Sequence, residues 1–114
     1  MVTVHSFTPV FNGVARSVEI GLLHGQDDRF ARAMMAGLPE NPPYDTRVNE
    51  PYAAKDGVVH TLDTHGAACG LLNVMIEVRN DLIATPDAQQ SMGETLAKWI
   101  ETALKRFPDG GGAS

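Results

Sequence analysis

Residues 73–79 alternate more cleanly than any other part of the chain. Val74, Ile76 and Val78 fall on one side of an extended backbone and Met75, Glu77 and Arg79 on the other, which predicts a strand. Near the amino end, Val2, Val4 and Phe7 open a shorter β-like run that stops at Pro9, and residues 18–23 form a mostly apolar run suited to a buried strand. Asn12 and Gly13 between them mark a turn, because both tolerate backbone angles that β-branched residues resist. From residue 27 to 38 the period changes. Phe30, Met34 and Leu38 make one helical stripe, with Asp27 and Asp28 at the positive end of the helix dipole and Pro39 as the stop. Asn41, Pro42 and Pro43 prolong the break, and a short extended segment is expected around residues 47–50. Residues 51–70 are turn-rich and read as a long connection. Thr85 before Pro86 predicts a helix start, after which Met92, Leu96, Trp99, Ile100, Ala103 and Phe107 repeat along one face.

The order strand, strand, helix, strand, strand, helix argues for an α/β layer structure, although the order of strands in the sheet cannot be read from it. With 114 residues the chain suits a single α/β domain over residues 1–107. Residues 108–114, with three consecutive glycines, form a flexible tail by composition.

The formal charge of −5 and isoelectric point near 5.2 give no basic footprint, so neither nucleic acid nor an anionic membrane surface is an expected partner. One cysteine, Cys69, excludes an internal disulfide framework. No secretory leader and no apolar stretch of about 18 residues is present, so a cytoplasmic protein is expected.

Chemistry concentrates at two strand ends. His5, in the run HSFTP at residues 5–9, offers an imidazole at a strand-to-loop transition, where it can ligate zinc or serve as a hydrogen-bonded structural residue. Glu77, in IEVRND at residues 76–81, lies inside an apolar strand, where a carboxylate is costly unless a cation or donor meets it. Two readings of Glu77 are open. It can pair structurally with Arg79 on its own face, or act as a general base on a water molecule. His24, His60 and His65 lack the HExxH spacing that predicts zinc. Asn49, Glu50 and Tyr52 cluster around Pro51, suiting either substrate contact or a turn, and Cys69 has no CxxC partner.

These motifs, taken in order, resemble the N-formylglutamate amidohydrolase family from Val2 to about Leu104. The resemblance rests on HSFTPVFNGVAR at residues 5–16, NEPY at 49–52, Thr61, Leu62, His65 and Gly66, and IEVRNDLI at 76–83. It implies a zinc-dependent amidohydrolase that cleaves N-formyl-L-glutamate or a related N-acyl amino acid, giving formate and glutamate in histidine breakdown. It also implies a partial three-layer sheet with flanking helices, similar to the zinc-dependent exopeptidase fold. By the resemblance His5 is a metal ligand, Glu77 the catalytic base, and Arg79, Asn49 and His65 substrate-binding residues. Val48, His60 and Cys69 depart from the family pattern, which bears on the choice of substrate. Family members carry further metal ligands in an N-terminal half. One histidine cannot hold catalytic zinc, which takes about three protein ligands. The expected partner is therefore an N-terminal partner chain or a homo-oligomer, and the alternative is a non-catalytic α/β binding or oligomerisation module.

Overall fold

A computed structural model describes residues 2–11, 13–15, 17–25, 27–48 and 72–107. The first strand, β1 (Val2–Phe7), leads into a hairpin of two very short strands, β2 (Val10–Phe11) and β3 (Val14–Ala15). Gly13 makes their turn at a φ of 77°, a left-handed conformation that costs glycine little. Strand β4 (Ile20–Leu23) begins two residues after the start of its apolar run. Helix α1 (Arg29–Ala36) and strand β5 (Thr46–Val48) follow. Strand β6 (Val74–Arg79) passes directly into a 3-10 turn over Asn80–Ile83 and then into α2 (Pro86–Leu104). Thr85 caps α2 as its sequence predicts, its hydroxyl accepting the Ala88 amide at 3.1 Å with Pro86 in the first turn.

Four strands form one mixed sheet in the order β1-β6-β4-β5. The outer neighbours, β1 with β6 and β4 with β5, are parallel, while β6 and β4 are antiparallel. The β4-α1-β5 connection is thus a β-α-β unit, and the pairing of β1 with β6 joins distant parts of the chain. Side chains of even number on β4 and β6, Ile20, Leu22, Val74, Ile76 and Val78, enter one core cluster with both helices. Phe30 and Met34 supply the α1 side of that core and Met92, Leu96, Trp99 and Ala103 the α2 side. The two helices meet where Gly37 leaves room for Thr102. A β-carbon at Gly37 would stand 3.0 Å from the Thr102 methyl, so close approach accounts for the glycine. Phe30 and Phe107 close the same end with ring centroids 6.3 Å apart.

The odd-numbered face of the sheet is buried as well. Phe7, Leu23, Met75 and Glu77 are all buried there, although the described residues place no helix on that side. Such two-sided burial explains why residues 72–78 are buried without a break. None of the described helices is long and apolar enough to cross a membrane.

The acidic pair before α1 acts differently from the dipole role expected of it. Asp28 occupies the cap position without a capping bond and pairs with Arg32 one turn on. Asp27 accepts the Arg29 amide at 3.1 Å and its guanidinium at 2.8–3.2 Å. Hydrogen bonding from the Arg29 side chain holds the Asp27 carboxyl below its ordinary value of 3.8, with burial opposing. A lowered native pKa means the bond contributes above about pH 4, where the unfolded carboxyl is ionised, and is lost as pH falls through the native value. Asp27→Asn is therefore expected to flatten the acid limb of stability, read as urea midpoints between about pH 5 and about pH 2. An acid limb as steep as the wild type's would refute the linkage.

Candidate functional site

The β-branched run Val74, Ile76, Val78 makes β6 a central strand, and this fixes where Glu77 must go. With its neighbours turned into the helix-side core, Glu77 projects from the opposite face, where it is 5% exposed. Two strands flank it. In register, His5 of β1 stands opposite Glu77 on one side and Gly21 of β4 on the other. Residues paired across neighbouring strands lie about 4.8 Å apart and share a sheet face, so His5 and Glu77 occupy neighbouring positions in one cross-strand row. His5 is exposed on the edge strand while Glu77 is buried one strand in. The row continues to β5, where Arg47 pairs with Gly21.

Gly21 has a role that the apolar run around it concealed. It pairs in register with Glu77, so β4 brings no side chain to the row beside the carboxylate. A glycine inside a strand pattern was the available signal. Arg47, in the same row, donates to Asp45 at 2.9 and 3.0 Å and is exposed.

Arg79 is two residues further along the Glu77 face, at the carboxyl end of β6. Its guanidinium donates to Asp81 at 2.8 and 3.2 Å and lies 4.0 Å from Glu19. Hydrogen bonding to Asp81 raises its pKa above the usual arginine value, against the effect of burial, with Asp81, Glu19 and Asp45 adding to the field. Its backbone amide donates to the Glu19 carbonyl at 2.9 Å, and the Glu19 carboxylate in turn accepts the Asp45 amide at 2.8 Å. Arg79 thereby ties the end of β6 to the entrances of β4 and β5. The substrate candidates Asn49 and His65 lie outside the described residues, as do Glu50, Tyr52, His60 and Cys69.

Donor chemistry limits what the described residues hold unaided. His5 is a sound metal ligand beside a carboxylate, but no group of three or more His, Cys, Asp or Glu residues suited to a metal occurs among the described residues. His24 follows β4 beyond the row in which Leu23 pairs with Met75, away from Glu77, and its Nδ1 is 2.8 Å from the Gly25 carbonyl. The described residues therefore fit one part of a zinc site and do not complete one.

The sequence model of the N-formylglutamate amidohydrolase family matches residues 1–84, which include both strands of the His5 and Glu77 pair. The chain belongs to that family. The family takes its name from an amidohydrolase activity. The family match stops at residue 84, short of the reach to about Leu104 suggested by the motifs and before α2 begins. A solved structure extends the likeness. The gene product Atu2144 from Agrobacterium tumefaciens is 50% identical, with a TM-score of 0.87 over 92% of this chain. The chain spans only 42% of that protein's length. No curated protein is similar enough to this family member to count as a match.

Proposed function

We propose that this chain forms part of a zinc-dependent amidohydrolase acting on N-formyl-L-glutamate or a related N-acyl amino acid. The observation that carries the reading is the pairing of His5 with Glu77 on one sheet face, within the segment matched by the family. On this reading the sheet belongs to a three-layer fold of the zinc exopeptidase kind. His5 is one zinc ligand, and the remaining ligands come from outside the described residues. Zinc, when bound, supplies a Lewis acid.

Glu77 is the general base. Its carboxylate takes a proton from a water molecule as the water oxygen bonds to the formyl carbon. It then returns that proton to the amine nitrogen as the carbon–nitrogen bond breaks, releasing formate and the amino acid. Burial on the sheet face suits this role, since it keeps bulk water away from the carboxylate. Arg79, Asn49 and His65 are the substrate-binding candidates, Arg79 with its guanidinium steadied by Asp81 and Glu19.

Formate release from N-formyl-L-glutamate and acetate release from N-acetyl-L-glutamate test this, with bound zinc quantified in the same samples. The chain is assayed alone and with the portion of the Agrobacterium protein that lies outside the match. Zinc-dependent turnover is expected in the combined sample. A combined sample that holds zinc yet hydrolyses neither compound overturns the hydrolase reading.

A further inference from the structure

Among the described residues, ion pairs mostly join near neighbours in the chain: Arg29 with Asp27, Arg47 with Asp45, Arg79 with Asp81, and Arg32 with Asp28 one turn away. Glu19 with Arg79 is of another kind. It joins the entrance of β4 to the end of β6, and the two side chains are only 27% and 18% exposed.

The Glu19 carboxylate divides its oxygens between two tasks. Oε1 accepts the Asp45 backbone amide at 2.8 Å, and Oε2 lies 4.0 Å from Nη2 of Arg79. The main chain at Glu19 is held as well. Its amide donates to the Asp45 carbonyl at 2.9 Å, and its carbonyl accepts the Arg79 amide at 2.9 Å. A carboxylate fixed in this way has little freedom left to lose, so it is a preorganised partner for a cation. At 4.0 Å it acts on the guanidinium through charge rather than a hydrogen bond, and partial burial leaves that charge less screened than on an open surface.

Asp81 cannot do the same work. It grips the Arg79 guanidinium from two residues away in the chain, so it steadies that group only within its own segment. Glu19 belongs to a different strand entrance, and its charge fixes the guanidinium against the sheet that carries Glu77.

We propose that Glu19 is the positioning residue for Arg79, setting its guanidinium to receive the carboxylate of an N-acyl amino acid. This role rests on the hydrolase reading, which makes Arg79 a substrate contact. Neither the motifs nor the family's residue roles single out Glu19. Its part is to keep the cation where the ligand's carboxylate meets it, two residues along the strand from the general base.

Two substitutions separate the tasks of the two oxygens. Glu19→Gln keeps an acceptor for the Asp45 amide, loses the charge and turns an NH2 donor toward another donor. In the combined enzyme it is expected to raise KM for N-formyl-L-glutamate about 10-fold with kcat changed less than about 3-fold. Glu19→Asp keeps the charge on a shorter arm and gives up reach to the Asp45 amide, so KM should rise less than about 3-fold. A purely structural Glu19 gives the reverse order. In an Arg79→Gln background, Glu19→Gln should lower kcat/KM by less than about 2-fold, because no guanidinium is left to orient. Melting temperatures of all variants check that the fold is intact, and dissociation constants for N-acetyl-L-glutamate, taken in a Glu77→Gln background so that no ligand is consumed, should follow the same order. A KM for Glu19→Gln within about 2-fold of wild type, the reverse order of the two variants, or independent effects of Glu19→Gln and Arg79→Gln overturns the proposal. Binding without hydrolysis counts against the hydrolase alone and leaves the dissociation constants to decide the role of Glu19. A combined sample that neither binds nor hydrolyses overturns both.

Discussion

Glu77→Gln is expected to lower kcat/KM for N-formyl-L-glutamate by about 10²–10⁴-fold in the zinc-loaded, combined enzyme, the range attributed to a positioned general base. Glutamine keeps the shape and reach of the side chain, but it is neutral, carries an NH2 donor in place of one acceptor oxygen and cannot take the proton. Zinc stoichiometry should therefore be unchanged. Stability separates this role from a structural one. If Glu77 mainly anchored a buried ion pair, removal of its charge would strand a cation and cost about 3–5 kcal/mol. As a base on a buried sheet face it carries a desolvation cost of its own, which the amide relieves. The expected change in unfolding free energy is then within about 1 kcal/mol. A variant that retains full turnover, or one that loses turnover only because it unfolds, would remove Glu77 from the mechanism.

Ile76→Ala should produce the largest loss of stability of any single truncation on β6. Ile76 is fully buried in the core between the sheet and both helices, with Leu22 in register on one side and Val4 on the other. Removing its outer carbons costs their transfer free energy and leaves a cavity that two packed helices cannot readily fill, about 2–5 kcal/mol in all. Domains of this class are stable by about 5–15 kcal/mol, so the effect is a large part of the total. Urea unfolding should show a lower midpoint at unchanged slope. Val4→Ala, on the same cross-strand row but largely exposed, is the control and should cost no more than about 0.5 kcal/mol. Equal effects at the two positions would mean that the helix-side core is not where the burial of Ile76 places it.

The contrast between Ile76 and Val4 also shows where sequence reading ends. Alternation is local, so the strand at residues 74–79 and its two faces could be read directly, as could the Thr85 and Pro86 start of α2. The turn at Gly13 was equally legible, but the two-residue strands on either side of it were not, because no period can be recognised in two positions. The 3-10 turn at Asn80–Ile83 was missed because its hydrogen-bonding pattern leaves no apolar repeat. Strand order depends on pairings between distant segments, so residue spacing alone did not place this histidine in the row of Glu77, and only the family resemblance implied that the two share a site. The residue types suggested the chemistry, and only the register brought the two together. Gly21 illustrates the same limit, since its importance lies in what it omits next to a residue far away in sequence. Asp81 beside Arg79 was within reach of local reading, being two residues away, whereas Glu19 was not.

The parallel ladder between β1 and β6 has a kinetic consequence. Parallel neighbours cannot be joined by a tight turn, and here the intervening chain includes a hairpin, a β-α-β unit and more, all of which must be brought round before the first rung closes. Contacts of such long sequence separation are entropically costly to nucleate and tend to form late. His5 and Glu77 are therefore strangers through most of the folding reaction, even in species whose helices and hairpin are already formed. Competence of this site and completion of the topology become a single event, and the time at which one emerges measures the other.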